Sequence, residues 1–261
     1  MISFLHKFVM TVAIVIIAAI MFIGCSIGEN DTSALSYDQL IEKARTYDAQ
    51  GDAEKAISLY KKALVIKPDA GYVHYILGDI YYREWKLSRK NAQDQLAADI
   101  FMNPPHQPPD DHQKALIARG LKAEYKDFAV KEFHEALKYD PTNWGARFWL
   151  GSDLLGDKKY AQAIDELLKV IEIKPDYPNS YSLLGTAYMK LGQNELAVKY
   201  LKKSIELMPS DYDYYELGLV YRKMNRGEEV ATILKMLKDK HSPMYDELRL
   251  SLFNGADKSE E

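Results

Sequence analysis

The sequence is poor in the residues that staple or equip many small domains. Only one of 261 residues is cysteine, so an internal disulfide is impossible, and one thiol cannot supply the soft ligands of a zinc ribbon or an iron–sulfur cluster. Positive charge is not in excess: 34 Lys and Arg stand against 38 Asp and Glu, a formal net charge of -4, which disfavours binding to a phosphate backbone. Ten prolines and 14 glycines are too few for collagen or a wholly disordered chain, and 47% hydrophobic with 28% charged residues is an ordinary globular composition rather than that of a polytopic membrane protein. Motifs that carry chemistry are missing as well. There is no glycine-rich phosphate loop, nucleophile elbow, HExxH or pair of histidines at i, i+4. The nearest metal-like group, His106, Asp110, Asp111 and His112, fits no ligand spacing and reads as a solvated turn. No catalysis, metal, cofactor, small-molecule substrate or nucleic acid is expected.

The N-terminus, MISFLHKFVMTVAIVIIAAIMFIGCSI, has one Lys, one His and no acid, with an apolar run from Phe8 to Ile23. That is the build of a secretory signal. The segment Phe22-Ile23-Gly24-Cys25 resembles the bacterial lipobox, in which cleavage precedes a cysteine whose sulfur carries diacylglycerol. The resemblance implies a signal peptide over 1–24 and lipidation of Cys25, which would also remove the hazard of an odd thiol outside the cytoplasm. Ser26, rather than Asp, follows the cysteine; by resemblance to Gram-negative sorting this favours an outer-membrane location facing the periplasm. An uncleaved inner-membrane anchor is the alternative, since the run is almost long enough to cross a bilayer.

Beyond the leader, one interval recurs. Pro141, Pro175, Pro209 and Pro243 are spaced by 34 residues, as are Ala129, Ala163, Ala197 and Ala231. Upstream, Pro68, Ala56 and Gly78 each precede a counterpart (Pro141, Ala129, Gly151) by 73 residues, consistent with two repeats that share a five-residue insertion. The clearest copy holds Tyr181, Leu184, Gly185, Tyr188, Gly192, Ala197, Leu201 and Pro209; the first holds Leu40, Ala44, Tyr47, Gly51, Ala56, Tyr60, Ala63 and Pro68. Leu and Tyr at helical spacing make a buried stripe, and small residues let two helix backbones approach. Gly51 and Gly192 suit a left-handed turn, and the prolines stop the second helix.

With this pattern the chain resembles the tetratricopeptide repeat family, which implies an all-α, right-handed solenoid of stacked helix hairpins. Residues 25–36 are then expected to form a tether and 37–244 six hairpins, at 37–70, 71–109, 110–143, 144–177, 178–210 and 211–244. A capping helix and polar tail fill 245–261, the helix itself spanning 244–253. The second hairpin is irregular: a first helix is expected at 71–85, but 88–101 lack a turn and a crossing alanine, and four prolines in 102–111 exclude helix.

The resemblance also implies a concave groove lined by the first helices, with contacts at the second, fifth, ninth, twelfth and thirteenth repeat positions. Carried over by register, these are Tyr72, Tyr75, Asp79, Tyr82 and Arg83; Phe148, Ser152 and Leu155; Asn179, Ser182, Thr186, Met189 and Lys190; and Tyr212, Tyr215, Leu219, Arg222 and Lys223. Tyrosines with adjacent arginine suit a protein-binding surface. Asp79, Asp153 and Glu216 read as solvated helix faces. The function implied is a non-enzymatic adaptor that binds a segment of another envelope protein, similar to tetratricopeptide lipoproteins of pilus secretin assembly or peptidoglycan hydrolase scaffolding. A self-associating structural component is the alternative.

Overall fold

The structure, a computed structural model, describes residues 35–102 and 123–253; among these the backbone forms eleven helices and no strand. The signal segment, Cys25, most of the tether, His106, Asp110, Asp111, His112 and the polar tail lie outside the described residues. The chain divides into two units, Met1–Ile66 and Lys67–Glu261.

The first unit holds one hairpin, α1 (Tyr37–Ala49) and α2 (Ala53–Ile66). Ser36 opens α1 with a reciprocal cap: its hydroxyl accepts from the Gln39 N–H at 3.3 Å, while Gln39 Oε1 accepts from the Ser36 N–H at 2.9 Å. This satisfies two amides that an uncapped helix start leaves unpaired. Leu40, Ala44, Ala56, Tyr60 and Ala63 make the buried seam.

The second unit stacks α3 (Gly71–Met102), α4 (Ala123–Tyr139), α5 (Trp144–Gly156), α6 (Tyr160–Ile173), α7 (Pro178–Lys190), α8 (Asn194–Leu207), α9 (Asp211–Lys223), α10 (Gly227–Asp239) and α11 (Met244–Phe253). Each tight turn inside a hairpin needs one left-handed residue. Gly51 (φ 79°) and Gly192 (φ 75°) fill that place, and Lys158 (φ 62°) and Asn225 (φ 58°) do so elsewhere. The same six-to-one bond closes each turn, for example Asp52 N–H to Tyr47 O and Gln193 N–H to Tyr188 O, both 2.9 Å. The repeat prolines contribute a carbonyl as well as a stop. Six residues after Pro141, Arg147 donates to its oxygen at 2.8 Å, and six after Pro175 the Tyr181 hydroxyl does the same at 2.9 Å; His74 Nε2 faces Pro68 O at 2.9 Å.

Two expectations are corrected. First, α3 does not break near residue 85 but continues to Met102, because no glycine or proline interrupts 86–102. Second, α4, expected as the second helix of a separate third hairpin, is the partner of α3. A methyl group at Gly78 would stand 2.8 Å from the Phe133 ring and 3.2 Å from Ala129 O; at Gly151 it would stand 2.8 Å from Leu167 Cγ and 3.5 Å from Ala163 O. The contact is the same, but the partner lies 55 residues on in one case and 16 in the other. The interval of 73 is therefore one repeat with a 39-residue insertion. The described residues form five hairpins rather than six, followed by α11, which packs on α9 and α10.

At Gly185 an added methyl would meet Leu201 Cγ at 2.5 Å, with Leu201 itself fully buried. Gly185→Ala should therefore cost about 1–3 kcal/mol, as overpacking does. Gly156→Ala, at the end of α5 with nothing within 4 Å, should be neutral or stabilising by up to about 1 kcal/mol. Urea unfolding of the two variants checks the contrast.

Candidate functional site

The first helices of the second unit are neighbours: α3 touches α5, α5 touches α7, and α7 touches α9. The residues expected to line a groove fall on this row, but they do not share one environment. Tyr72 is 52% exposed, and Arg83 and Lys190 are exposed as well. Asp79 pairs with Arg83 at 2.9 Å. Tyr75 is half-buried over Gly145, where an added methyl would stand 2.7 Å from its ring. Burial, then the charge of Asp79, raises its hydroxyl pKa.

Four assignments are corrected by packing. Tyr82 is 3% exposed and sits against Trp149 (ring centroids 4.7 Å) and Trp85 (5.3 Å). Phe148 is enclosed by Trp149 and Tyr177. Met189 is 2% exposed in the core with Ala197 and Leu201. Arg222 donates from Nη1 to the carbonyl of Ser251 and so fastens the capping helix. Tyr215 packs partly against that same core, and its hydroxyl is pushed up by burial and by Glu247 of α11. The physical cause is common to all: once neighbouring hairpins stack, side chains between adjacent first helices become interior, and the cap occupies the end of the row.

Two further features lie along the row, one beyond the repeat register and one in which register positions meet buried acids. Near Ser152, a cleft of about 420 Å³ opens between α3 and α5, lined by Tyr82, Trp85, Lys86, Arg89, Lys90, Lys126, Ser152, Asp153, Gly156 and Asp157. Asp153 and Asp157 are held by Lys126 at 3.0 and 2.7 Å. Burial opposes the Lys126 charge, but the hydrogen bonds it donates to Asp157 and Asp153 outweigh that and raise its pKa. Lys86 Nζ lies over the Tyr82 ring at 4.8 Å and the Trp149 ring at 5.1 Å. Its pKa is lowered by desolvation and then by Arg89. These cations stand beyond the expected end of the first helix, which is why the repeat positions pass over them; their i, i+3, i+4 spacing is visible in the sequence.

The second feature is a buried acid network between α7 and α9. Asp213, 3% exposed, accepts from the Ser182 hydroxyl at 2.5 Å and the Ser204 hydroxyl at 2.7 Å. Glu216 is 6% exposed and accepts from Thr186 at 3.3 Å, which overturns its expected place on a solvated face. Burial raises its pKa, against Lys190, Thr186 and Tyr212, and Tyr212 is in turn pushed up to about 12 by burial and Glu216. Among the described residues, no group of three or more His, Cys, Asp or Glu is placed to hold a metal ion. The row offers directional polar contacts and aromatic surface, the means of binding a chain segment.

The family description "TPR repeat" matches residues 44–84 and 157–192, and "Tetratricopeptide repeat" matches 178–211. Similar curated proteins include Anaphase-promoting complex subunit 3 of Dictyostelium discoideum, 32% identical over 33% of this chain and 9% of that protein. Small glutamine-rich tetratricopeptide repeat-containing protein 2 of Saccharomyces cerevisiae is 32% identical over 50% of this chain and 39% of its own length. The chain thus spans well under half the length of these relatives. Among solved structures, MamA aligns with TM-score 0.55 and 22% identity over 76% of this chain and 94% of that one. A MamA from Desulfovibrio magneticus RS-1 gives 0.57 and 18% over 78% and 93%. At these identities the likeness is one of fold, a helical solenoid.

Because the Glu216 pKa is raised on folding, its charged form is penalised in the native state. Stability should fall as pH rises through and above the ordinary value of 4.5. Glu216→Gln, which keeps an acceptor for Thr186, should raise the melting midpoint near neutrality, and the gain should vanish in acid below that value. Thermal melts of both proteins across this range check it.

Proposed function

We propose, from the likeness to tetratricopeptide repeats over residues 44–84 and 157–211, that the chain is a non-enzymatic scaffold of the bacterial envelope, tethered by a lipid on Cys25. In this reading the row of first helices binds a segment of another envelope protein, in a setting such as pilus secretin assembly or the scaffolding of cell-wall hydrolases. The observation that carries the binding half is the exposed pair Tyr72 and Arg83 beside half-buried Tyr75 and Asp79 on α3, with exposed Lys190 on α7 further along the same row of first helices. The Tyr75 ring, packed over Gly145, and the Arg83 guanidinium, held by Asp79 at 2.9 Å, lose little entropy when a partner arrives. The tether half rests on the leader, in which small Gly24 precedes the one cysteine. Acyl chains at about 0.8 kcal/mol per buried CH₂ would hold the protein far more firmly than a single myristoyl group.

Two substitutions separate the halves. Tyr72→Ala with Arg83→Ala should reduce recovery of a captured envelope protein about tenfold or more, because truncated interface anchors cost about 2 kcal/mol each, with the melting midpoint nearly unchanged. Equal recovery would remove the first-helix row from the binding surface. Cys25→Ser, expressed in a diderm bacterium and labelled with palmitate, should lose the label and leave the outer-membrane fraction. Retained label would reject the lipid tether.

A further inference from the structure

The first helices α5, α7 and α9 are each 13 residues long, whereas α3 has 32. The first two turns of its extra length place Lys86, Arg89 and Lys90 on one helix face, a like-charge arrangement that destabilises a helix with no compensating partner. No carboxylate among the described residues pairs with any of the three, whereas both carboxylates in the cleft beside them are already engaged by Lys126. The floor beneath is aromatic. Lys86 stands over Tyr82 and Trp149, and the Arg89 guanidinium lies 5.3 Å from the centre of the Trp85 ring. The rings orient the cations and shield one side from water, so an incoming anion meets charges that are positioned and partly desolvated.

We propose that this cleft docks an acidic peptide segment of a partner protein, its carboxylates on Lys86, Arg89 and Lys90 and a neighbouring apolar or aromatic side chain against the half-buried Trp85 ring. The proposal rests on the scaffold reading above but uses none of the residues tested there. A peptide fits because about 420 Å³ admits a few side chains, while a flat anionic membrane cannot reach recessed rings. A duplex would face a protein of net charge -4.

The test uses the full chain in detergent micelles and fluorescence anisotropy of a fluorescein-labelled peptide built from Asp-Glu pairs alternating with Phe. The peptide should bind, with affinity that falls as salt rises, and its Asn-Gln counterpart should bind at least about tenfold more weakly. The triple variant Lys86→Gln, Arg89→Gln, Lys90→Gln should lose about tenfold or more. Asp153→Asn with Asp157→Asn should bind the acidic peptide more tightly, a gain that misfolding cannot imitate. Lys169→Gln with Lys203→Gln should change nothing. Equal binding by the triple variant, equal binding of the amide peptide, or a triple variant that loses only oligothymidine or phosphatidylglycerol vesicles would overturn the proposal. Tyr72→Ala with Arg83→Ala should leave the acidic peptide bound. If the peptide fails while that variant still loses its envelope partner, this inference falls and the first-helix reading stands.

Discussion

Everything in the repeat stack depends on the absence of a side chain where two helices cross. Gly78, Gly151, Gly185 and Gly218 receive Phe133, Leu167, Leu201 and Leu248, and a methyl group at any of them would stand 2.8 Å or less from its neighbour. Those four large residues are at most 1% exposed, so each close approach is what allows a full-sized apolar side chain to leave water, worth about 1.5–3 kcal/mol apiece. In the last hairpin Leu248 comes from α11, with Ile233 of α10 alongside. The cap therefore completes a crossing rather than merely covering an end.

This constraint explains why most of the architecture is legible in the sequence and why one part is not. Proline spacing, crossing glycines and turn glycines are local signals, so hairpins at α5/α6, α7/α8 and α9/α10 follow directly from the 34-residue interval. The α3/α4 pairing is not local. An interval of 73 is compatible both with two repeats plus five residues and with one repeat plus 39, and periodicity cannot choose between them. What decides is a three-dimensional contact, Gly78 against Phe133 and Ala129. The proline-rich stretch is a visible sign of an insertion, but not of where the interrupted hairpin resumes.

The candidate binding surface is less legible than the fold because register fixes a residue's place on a helix, not its neighbour across the stack. Tyr72 and Phe148 are both groove positions by register, yet one is 52% exposed and the other 7%. The difference is the company of Trp149 and Tyr177 around Phe148. Likewise Glu216 looks like a solvated helical acid until α7 brings Thr186 against it. The cations of α3 escaped for the opposite reason: they belong to the insertion, and family positions stop before them. The insertion thus adds surface chemistry that the regular repeat does not have.

The repeat stack requires α3 and α4 to form a single hairpin through the Gly78 crossing, and a double-mutant cycle on Gly78 and Phe133 measures that contact directly. Gly78→Ala alone forces a methyl group toward the Phe133 ring at 2.8 Å. In the Phe133→Leu background the cost of Gly78→Ala, read from chemical unfolding, should shrink by about 1 kcal/mol or more, the coupling expected of residues in contact. Strict additivity of the two substitutions would contradict the pairing and with it the one-repeat reading of the insertion.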